Sequence, residues 1–326
     1  MSVLSQSYSY GTSPFTSTSF SQRLHIHLFG GAQIQHSLSP LINSIFFKHA
    51  GASWTYDLCE TTDPGRFLDA VYRSDFMGAS ITMPNKIKFM SSVDVITEEA
   101  RAIGAVNTVF ARLNASGKRI HVGTNTDCIG IHKTLTTCQP DIAQTTKGQP
   151  ALVVGAGGAS RSAIYALWTW LQPSEIYIVN RLKSEVDDLI SEMQKSTPGI
   201  KLRHIEMVNE ARSIPTPQVI IGTVPSEQPR DPGEVLAWDI THAFLSRNAS
   251  KGTLLDMCYH PLRTRLLDVA EQKGWKILFG SEVLVHIVAA QSTLWLERAP
   301  SADAVQEALM AVQSHSTSRS VKSNRL

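Results

Sequence analysis

Four stretches of the chain bring together residue types that could do chemistry. The first is Gly155-Ala156-Gly157-Gly158-Ala159-Ser160, set between the apolar run Ala151–Val154 and the helical pattern ASRSAIYALWTWL. A glycine turn between a strand and a helix lets backbone approach a phosphate, while the helix N-terminus offers unpaired N–H groups and a partial positive charge. Gly155 permits the tight turn, and Gly157 admits the pyrophosphate of a dinucleotide. Ser160 stands where a third glycine often sits and is still small enough for close packing. Three further stretches are polar. Ser37-Leu38-Ser39-Pro40 puts two hydroxyls at a helix start, which suits a carboxylate. Gly78–Lys86 (GASITMPNK) carries Thr82 and Lys86 just past a strand end, and Gly123–Asp127 (GTNTD) carries an acid at the expected domain junction. A lysine amine and a carboxylate in one site can move and orient a proton. Each residue alone also has a plain structural reading: Ser39 and Asp127 as helix caps, Lys86 as a solvated surface lysine.

The end of the strand after the glycine turn bears on which dinucleotide fits. Asn180-Arg181 stands where an acid would hold the ribose hydroxyls of NAD, and a guanidinium favours the 2′-phosphate of NADP. Glu185, four residues on, would repel that phosphate. The two signals oppose each other, and the balance leans to NAD.

Regular elements must position these residues. LHIHLFGG reads as a strand closed by two glycines. Ser39 as N-cap and Pro40 at the first helical position open a helix over LINSIFFKHA that stops at Gly51. WTYDLCE and GASIT read as strands, and PGRFLDAVYR as a helix between them. Alternation of this kind implies a mostly parallel sheet with helices packed on it. After the polar stretch TTCQPDIAQTTKGQP the alternation resumes with ALVV, EIYIVNR, VIIGTVP and GTLLDMCYHP, and ends in the long apolar helix SEVLVHIVAAQSTLWLERA. The Ser/Thr-rich residues 1–22, and residues 313–326, read as disordered tails. The fold class is therefore α/β with two domains.

The bulk composition excludes several functions. With 326 residues, 30 Lys plus Arg and 28 Asp plus Glu, the net charge is +2. Such a balance gives no pull toward nucleic acid or an anionic membrane. No apolar run approaches the length of about 18 residues that a membrane span needs. The first residues lack a signal-peptide pattern, so the cytoplasm is expected. The final Asn324-Arg325-Leu326 only faintly resembles a peroxisomal address. Cys59, Cys128, Cys138 and Cys258 form no CxxC pair and are expected as thiols. His25 and His27 share a strand face without an evident third ligand, so no metal is expected. Trp295 and Phe46 read as core.

The ordered set SLSP, GASITMPNK, GAVNT, GTNTD, GAGGASR, NR, DMCYHP and a last helix opened by Gly280 resembles the shikimate dehydrogenase family, most closely its catabolic quinate/shikimate dehydrogenase branch. The resemblance runs over about residues 24–312. It implies a substrate domain over 23–130 completed by 281–312, a Rossmann NAD(P)-binding domain over 131–280, and a ligand in the cleft. It also implies hydride transfer between NAD or NADP and the C3 hydroxyl or ketone of shikimate or quinate, in quinate metabolism or aromatic amino acid biosynthesis. The family's catalytic Lys and Asp fall on Lys86 and Asp127, and its carboxylate-binding hydroxyls on Ser37 and Ser39. Thr82, Asn107 and Tyr259 match further substrate positions. Gly155, Ala156, Gly157, Gly158, Ala159, Asn180, Arg181, Thr223, Met257 and Gly280 match cofactor positions.

Two departures stand out. The last helix usually carries a substrate-reaching Gln, and aligning Leu284, Val285 and Trp295 puts Ile287 there, with Gln291 one turn on as a substitute. Glu185 replaces a basic residue that often helps to hold the NADP phosphate. A relative that binds a quinate-like acid as a sensor, without turnover, is the alternative. A folate-type methylene dehydrogenase is a third reading, but the hydroxyl-rich SLSP segment suits a small polar acid better. The expected partner is a small hydroxy acid, and the expected assembly a monomer or homodimer.

Overall fold

The computed structural model describes all residues except Met1, Ser17, Gln33, Asn248 to Lys251 and Asn324 to Leu326, and leaves aside the side chains from 316 on. The chain folds into two compact units, residues 1–126 with 284–326, and residues 127–283.

In the first unit, strands β1 (His25–Gly30), β2 (Thr55–Glu60), β3 (Phe76–Ile81), β4 (Val95–Ile96), β5 (Thr108–Leu113) and β6 (Arg119–Thr124) form one sheet in the order β2-β1-β3-β5-β6-β4. The helices here are α1 (Val3–Ser7), α2 (Ser39–Ala50), α3 (Pro64–Val71), α4 (Asn85–Lys88) and α5 (Glu98–Ile103). As expected, the sheet is mostly parallel, with β5 alone running against the other strands. β2, β1 and β3 run parallel, but β5 pairs antiparallel with both β3 and β6. β5 and β6 are joined by the short turn Asn114–Lys118, which only antiparallel neighbours can use, rather than by a crossover helix.

Alternate strand residues feed two cores, one containing Phe29, Phe67, Phe76 and Phe89, the other Ile26, Phe47, Phe110 and Trp295. Gly78 has no Cβ because Trp295 Nε1 would lie 2.2 Å from it; that indole N–H donates to Val109 O at 2.9 Å. Trp295 and Phe46 are each 1% exposed and are core residues, as expected.

The second unit is a parallel sheet of β7 (Ala151–Val154), β8 (Ile176–Val179), β9 (Leu202–His204), β10 (Val219–Gly222), β11 (Thr253–Asp256) and β12 (Lys276–Phe279), in the order β12-β11-β10-β7-β8-β9. The order reverses beside β7, the doubly wound arrangement in which ligands bind at the strands' carboxyl ends. Its helices are α6 (Asp127–Cys138), α7 (Ile142–Thr146), α8 (Gly158–Ala166), α9 (Lys183–Ser196), α10 (Val208–Ser213), α11 (Pro232–Leu245) and α12 (Arg265–Gln272). The chain returns to the first unit in α13 (Gly280–Leu296) and closes with α14 (Ala302–Ser323). Among the described residues no helix is long and apolar enough to cross a membrane.

The N-terminal segment departs from expectation. Read as a disordered tail, it packs on the first unit. Phe15 and Phe20 both stack on Trp54 at 5.6 Å, and Trp54 Nε1 donates to Ser19 O at 2.9 Å. Thr12 bridges Leu113. Arg112 of β5, 1% exposed, donates to Ser7 Oγ, lies under the Tyr8 ring and pairs with Glu297 at 3.2 Å. Burial pushes its guanidinium below the usual range. A Ser/Thr-rich composition hid the segment because its anchors are three spaced aromatics and backbone groups, not an apolar period. At the other end, α14 carries the helix through residues expected to be a tail, while Asn324–Leu326 lie outside the described residues.

Trp54→Ala is expected to cost about 3–5 kcal/mol in urea unfolding, as for other buried Trp truncations. Deleting residues 2–22 should destabilise comparably, since it exposes the same ring and strips Arg112 of its hydroxyl partner. A deletion variant as stable as the full chain would mean the segment only rests on the surface.

Candidate active site

Sheet polarity decides where the candidate residues of the first unit lie. β1 and β3 are parallel, so their carboxyl ends share an edge. β5, running the other way, begins at that edge, and β6 ends there. The residues just beyond those ends therefore form one rim: Gly31 after β1, Thr82 after β3, Asn107 before β5 and Thr126 after β6, with Ser37 further along the chain from Gly31. Backbone bonds lock it, from Thr82 N to Phe29 O at 2.9 Å, Ile81 N to Asn107 O at 2.7 Å and Asn107 N to Thr124 O at 3.0 Å.

Asn107 is 2% exposed, and its Oδ1 accepts from Thr108 Oγ1 at 2.6 Å, Thr126 N at 2.8 Å and Thr126 Oγ1 at 3.1 Å. The next residue is Asp127, 3% exposed and first in α6. Lys86 sits in the short helix α4, and its carbonyl accepts Val106 N–H at 2.8 Å. Asn85 anchors that helix through Nδ2 to Thr61 O at 2.8 Å. Ser37 and Ser39 differ from their expected roles in one respect. Leu38 is the N-cap, Ser39 is the first helical residue, and Ser37 Oγ accepts Ser39 N–H at 3.2 Å. Pro40 at the second helical position costs no hydrogen bond, since the N–H groups of the first turn have no acceptor within the helix.

Ile287 is 8% exposed, so the position expected to lack a polar group is an apolar buried one. Gln291 does not stand in for it. Its Oε1 accepts from Ser80 Oγ at 3.1 Å, and its Nε2 donates to Thr108 Oγ1 at 3.0 Å. Tyr56 OH extends the chain to Ser80 at 2.8 Å. Gln291 thus holds Thr108, which holds Asn107. His25 and His27 stack at 6.1 Å, and His25 Nδ1 pairs with Asp57 at 2.7 Å.

In the second unit a cavity of about 450 Å³ opens at the carboxyl ends of β7, β8 and β10. Gly155 has φ +121°, and a Cβ there would lie 2.3 Å from Thr223 Oγ1. That hydroxyl donates to Val154 O at 2.7 Å and bonds Ser160 Oγ at 2.7 Å. Ser160 and Thr223 thus buttress the turn from below. Above it, a Cβ on Gly157 would meet nothing within 4 Å, and Gly157 caps α8 without any side-chain bond. An open turn over an uncapped helix start of nine residues, through Gly158 and Ala159, is the cradle a pyrophosphate needs. The residues present fit a dinucleotide. Gly280 lies against Met257, where a Cβ would come within 2.5 Å of Met257 O, so these two candidates meet; Tyr259 follows in the same loop.

At the end of β8, Asn180 Nδ2 donates to Glu185 Oε2 at 2.7 Å, and Arg181 Nη1 to Glu234 Oε1 at 2.8 Å. Glu234, from α11, was not anticipated, since nothing in one sequence pairs a residue on α11 with the end of β8. Asp256, the first residue of DMCYHP, is a further residue of this site. It lines the cavity, is 2% exposed, and accepts from Thr264 Oγ1 at 2.6 Å and Cys258 N at 3.1 Å. An acid ending the apolar strand TLLD was the available signal.

Quinate dehydrogenase of Emericella nidulans is 36% identical over 281 residues, covering 81% of this chain and 85% of that one. The chain belongs to the shikimate dehydrogenase family. The family's substrate binding domain is matched over residues 29–109. Solved structures of the family are similar too, among them the following. The dehydroquinate dehydratase and shikimate dehydrogenase of S. pombe has TM-score 0.71 and 31% identity, over 89% of this chain and 53% of that one. Shikimate 5-dehydrogenase of Thermus thermophilus in complex with NADP(H) and shikimate has TM-score 0.68 and 28% identity, over 89% and 99%. As a shikimate dehydrogenase family member this chain is a dehydrogenase, and its α/β fold with a Rossmann-type unit is the family's.

Burial pushes the Asp256 carboxyl up to about 6, against the two donors that hold it lower. A raised carboxyl binds its proton more tightly folded than unfolded, so it destabilises as pH rises from about 4 to about 6 and stays destabilising above. Asp256→Asn should therefore gain on the wild type between pH 4 and pH 7, by up to about 3 kcal/mol in urea melts. An equal difference at both pH values would contradict it.

Proposed function

We propose that this dehydrogenase transfers a hydride between a nicotinamide dinucleotide and the C3 carbinol or ketone of quinate or shikimate. The observation that carries this reading is the rim of the first unit, where Thr82 and Asn107 share one edge, Lys86 is bonded to the residue before Asn107, and Asp127 follows Thr126 in the chain. The glycine turn of the second unit supports it, as do the quinate and shikimate activities named for the relatives.

In this reading the hydroxyls of Ser37 and Ser39 and the start of α2 hold the substrate carboxylate. Thr82, Asn107 and Tyr259 orient ring hydroxyls. Asn107 suits this because three donors fix its amide plane, leaving no rotational freedom to lose on binding. Lys86 Nζ, in its amine form, takes the hydroxyl proton during oxidation and returns it during reduction. Asp127 orients Lys86 and the reacting hydroxyl. The bound nicotinamide supplies the hydride chemistry. Gly155 to Ala159 cradle the pyrophosphate, Thr223 supports that turn, and Met257 and Gly280 wall the nicotinamide side. Asn180 and Arg181 meet the adenosine ribose. NAD is the proposed dinucleotide, because Glu185 is held at the pocket by Asn180. The non-catalytic sensor reading has no observation of its own.

Purified protein is to be assayed at the reduced-nicotinamide absorbance, crossing quinate and shikimate with NAD⁺ and NADP⁺. Turnover is expected with at least one acid, better with NAD⁺. Lys86→Ala and Asp127→Asn should each lose about 10²–10⁴-fold in kcat, the usual size of a general acid–base contribution. Absence of turnover with both acids and both dinucleotides would remove the proposal.

A further inference from the structure

We infer that Glu234 is a specificity-determining residue that turns this pocket against a 2′-phosphate by keeping Arg181 occupied. The inference rests on the nicotinamide reading above and deepens it. Arg181 is the cation that the sequence offers to such a phosphate, yet the folded chain spends it internally. Its Nη1 donates to Glu234 Oε1 at 2.8 Å, with Asp231 Oδ2 3.9 Å away.

The arrangement is built rather than incidental. Asp231 caps α11 by accepting Glu234 N–H at 2.9 Å, and Pro232 begins the helix. Gly233 lets that helix start press onto the end of β8, since a Cβ there would lie 2.6 Å from Arg181 O. The second carboxylate oxygen of Glu234 accepts Arg230 N–H at 2.8 Å, so the carboxylate is gripped on both sides. These contacts, the Arg230 amide first, hold the Glu234 carboxyl below the usual range, so it is ionised at neutral pH.

The rest of the lining reinforces the bias. The other arginine of the cavity, Arg265, lies 4.0 Å over the Trp238 ring and donates to Gln228 at 2.6 Å. Glu185 is held at the same end by Asn180. A 2′-phosphate dianion would have to pull Arg181 from Glu234 and then sit between two carboxylates. A bare 2′-hydroxyl faces no such demand and can donate to a carboxylate.

The test is calorimetric binding to the full-length protein, without substrate, of NAD⁺, NADP⁺, 5′-AMP and 2′,5′-ADP. The proteins are wild type, Glu234→Gln, Glu185→Gln, and Glu234→Gln combined with Arg181→Ala. Gln keeps the side-chain length and a carbonyl acceptor for Arg230 N–H, so α11 stays in place; a thermal melt checks this. Wild type is expected to bind NAD⁺ more tightly than NADP⁺. Glu234→Gln should raise the affinity for NADP⁺ relative to NAD⁺, and for 2′,5′-ADP relative to 5′-AMP, by roughly tenfold, the scale of one charge-assisted contact released to the phosphate. Removing Arg181 in the same protein should abolish that gain. An unchanged ratio in a folded Glu234→Gln protein overturns the inference, as does a gain that survives loss of Arg181. Should NAD⁺ bind with no discrimination to shift, only this inference falls; should no dinucleotide bind, the nicotinamide reading falls with it.

Discussion

Three hydrogen-bond donors converge on the side-chain oxygen of Asn107 in a place sealed from water, and the rim of the first unit is organised by that convergence. A buried amide oxygen with fewer donors would be a liability, and one with three is a fixed point. Because Thr126 supplies two of the donors, the end of β6 is pinned to the start of β5, and the backbone that continues into Asp127 leaves from a defined position. Because Gln291 holds Thr108, α13 is tied to the same point. The catalytic candidates therefore sit on a local chain of buried hydrogen bonds set between apolar cores, and the antiparallel pair β5–β6 is what makes the geometry available.

The second unit works by a different economy of space. Its glycine turn is shaped from below by two hydroxyls, Thr223 and Ser160, occupying the volume a Cβ would need, so the turn is held open toward solvent by packing rather than by glycine alone. The part of the cavity beyond β8 is shaped by charge. Two arginines line the cavity, but each is already engaged, one with a carboxylate and one with an indole. Counting cations in a pocket says little about anion affinity until their existing partners are named.

Much of the site was legible because its residues sit at strand ends flagged by glycine, proline or short polar groups. SLSP, MPNK and GTNTD are irregular segments that interrupt apolar runs, and GAGGAS marks itself. The glycine turn needed only local sequence, as did β1, β2, β3, β7, β8, β10 and β11. What could not be read was non-local. The reversal of β5 depends on which strand it pairs with. The engagement of Arg181 depends on a helix fifty residues downstream, and Gln291 looked available because its partners lie on other strands. The N-terminal segment escaped for the same reason, since its fit is written in Trp54, Arg112 and Glu297 rather than in itself.

That last triad has a consequence for biosynthesis. Arg112 is buried against Ser7, which precedes the second unit in the chain, and Glu297, which follows it. The second unit is one uninterrupted stretch and has all of its own contacts once residue 283 has emerged from the ribosome. The first unit cannot complete its core until α13 has been synthesised, so during translation an apolar sheet face and a buried-type arginine wait, half made, for a helix still to come. The nascent chain is most in need of chaperones during that interval, and the unit that starts first is the one that finishes last.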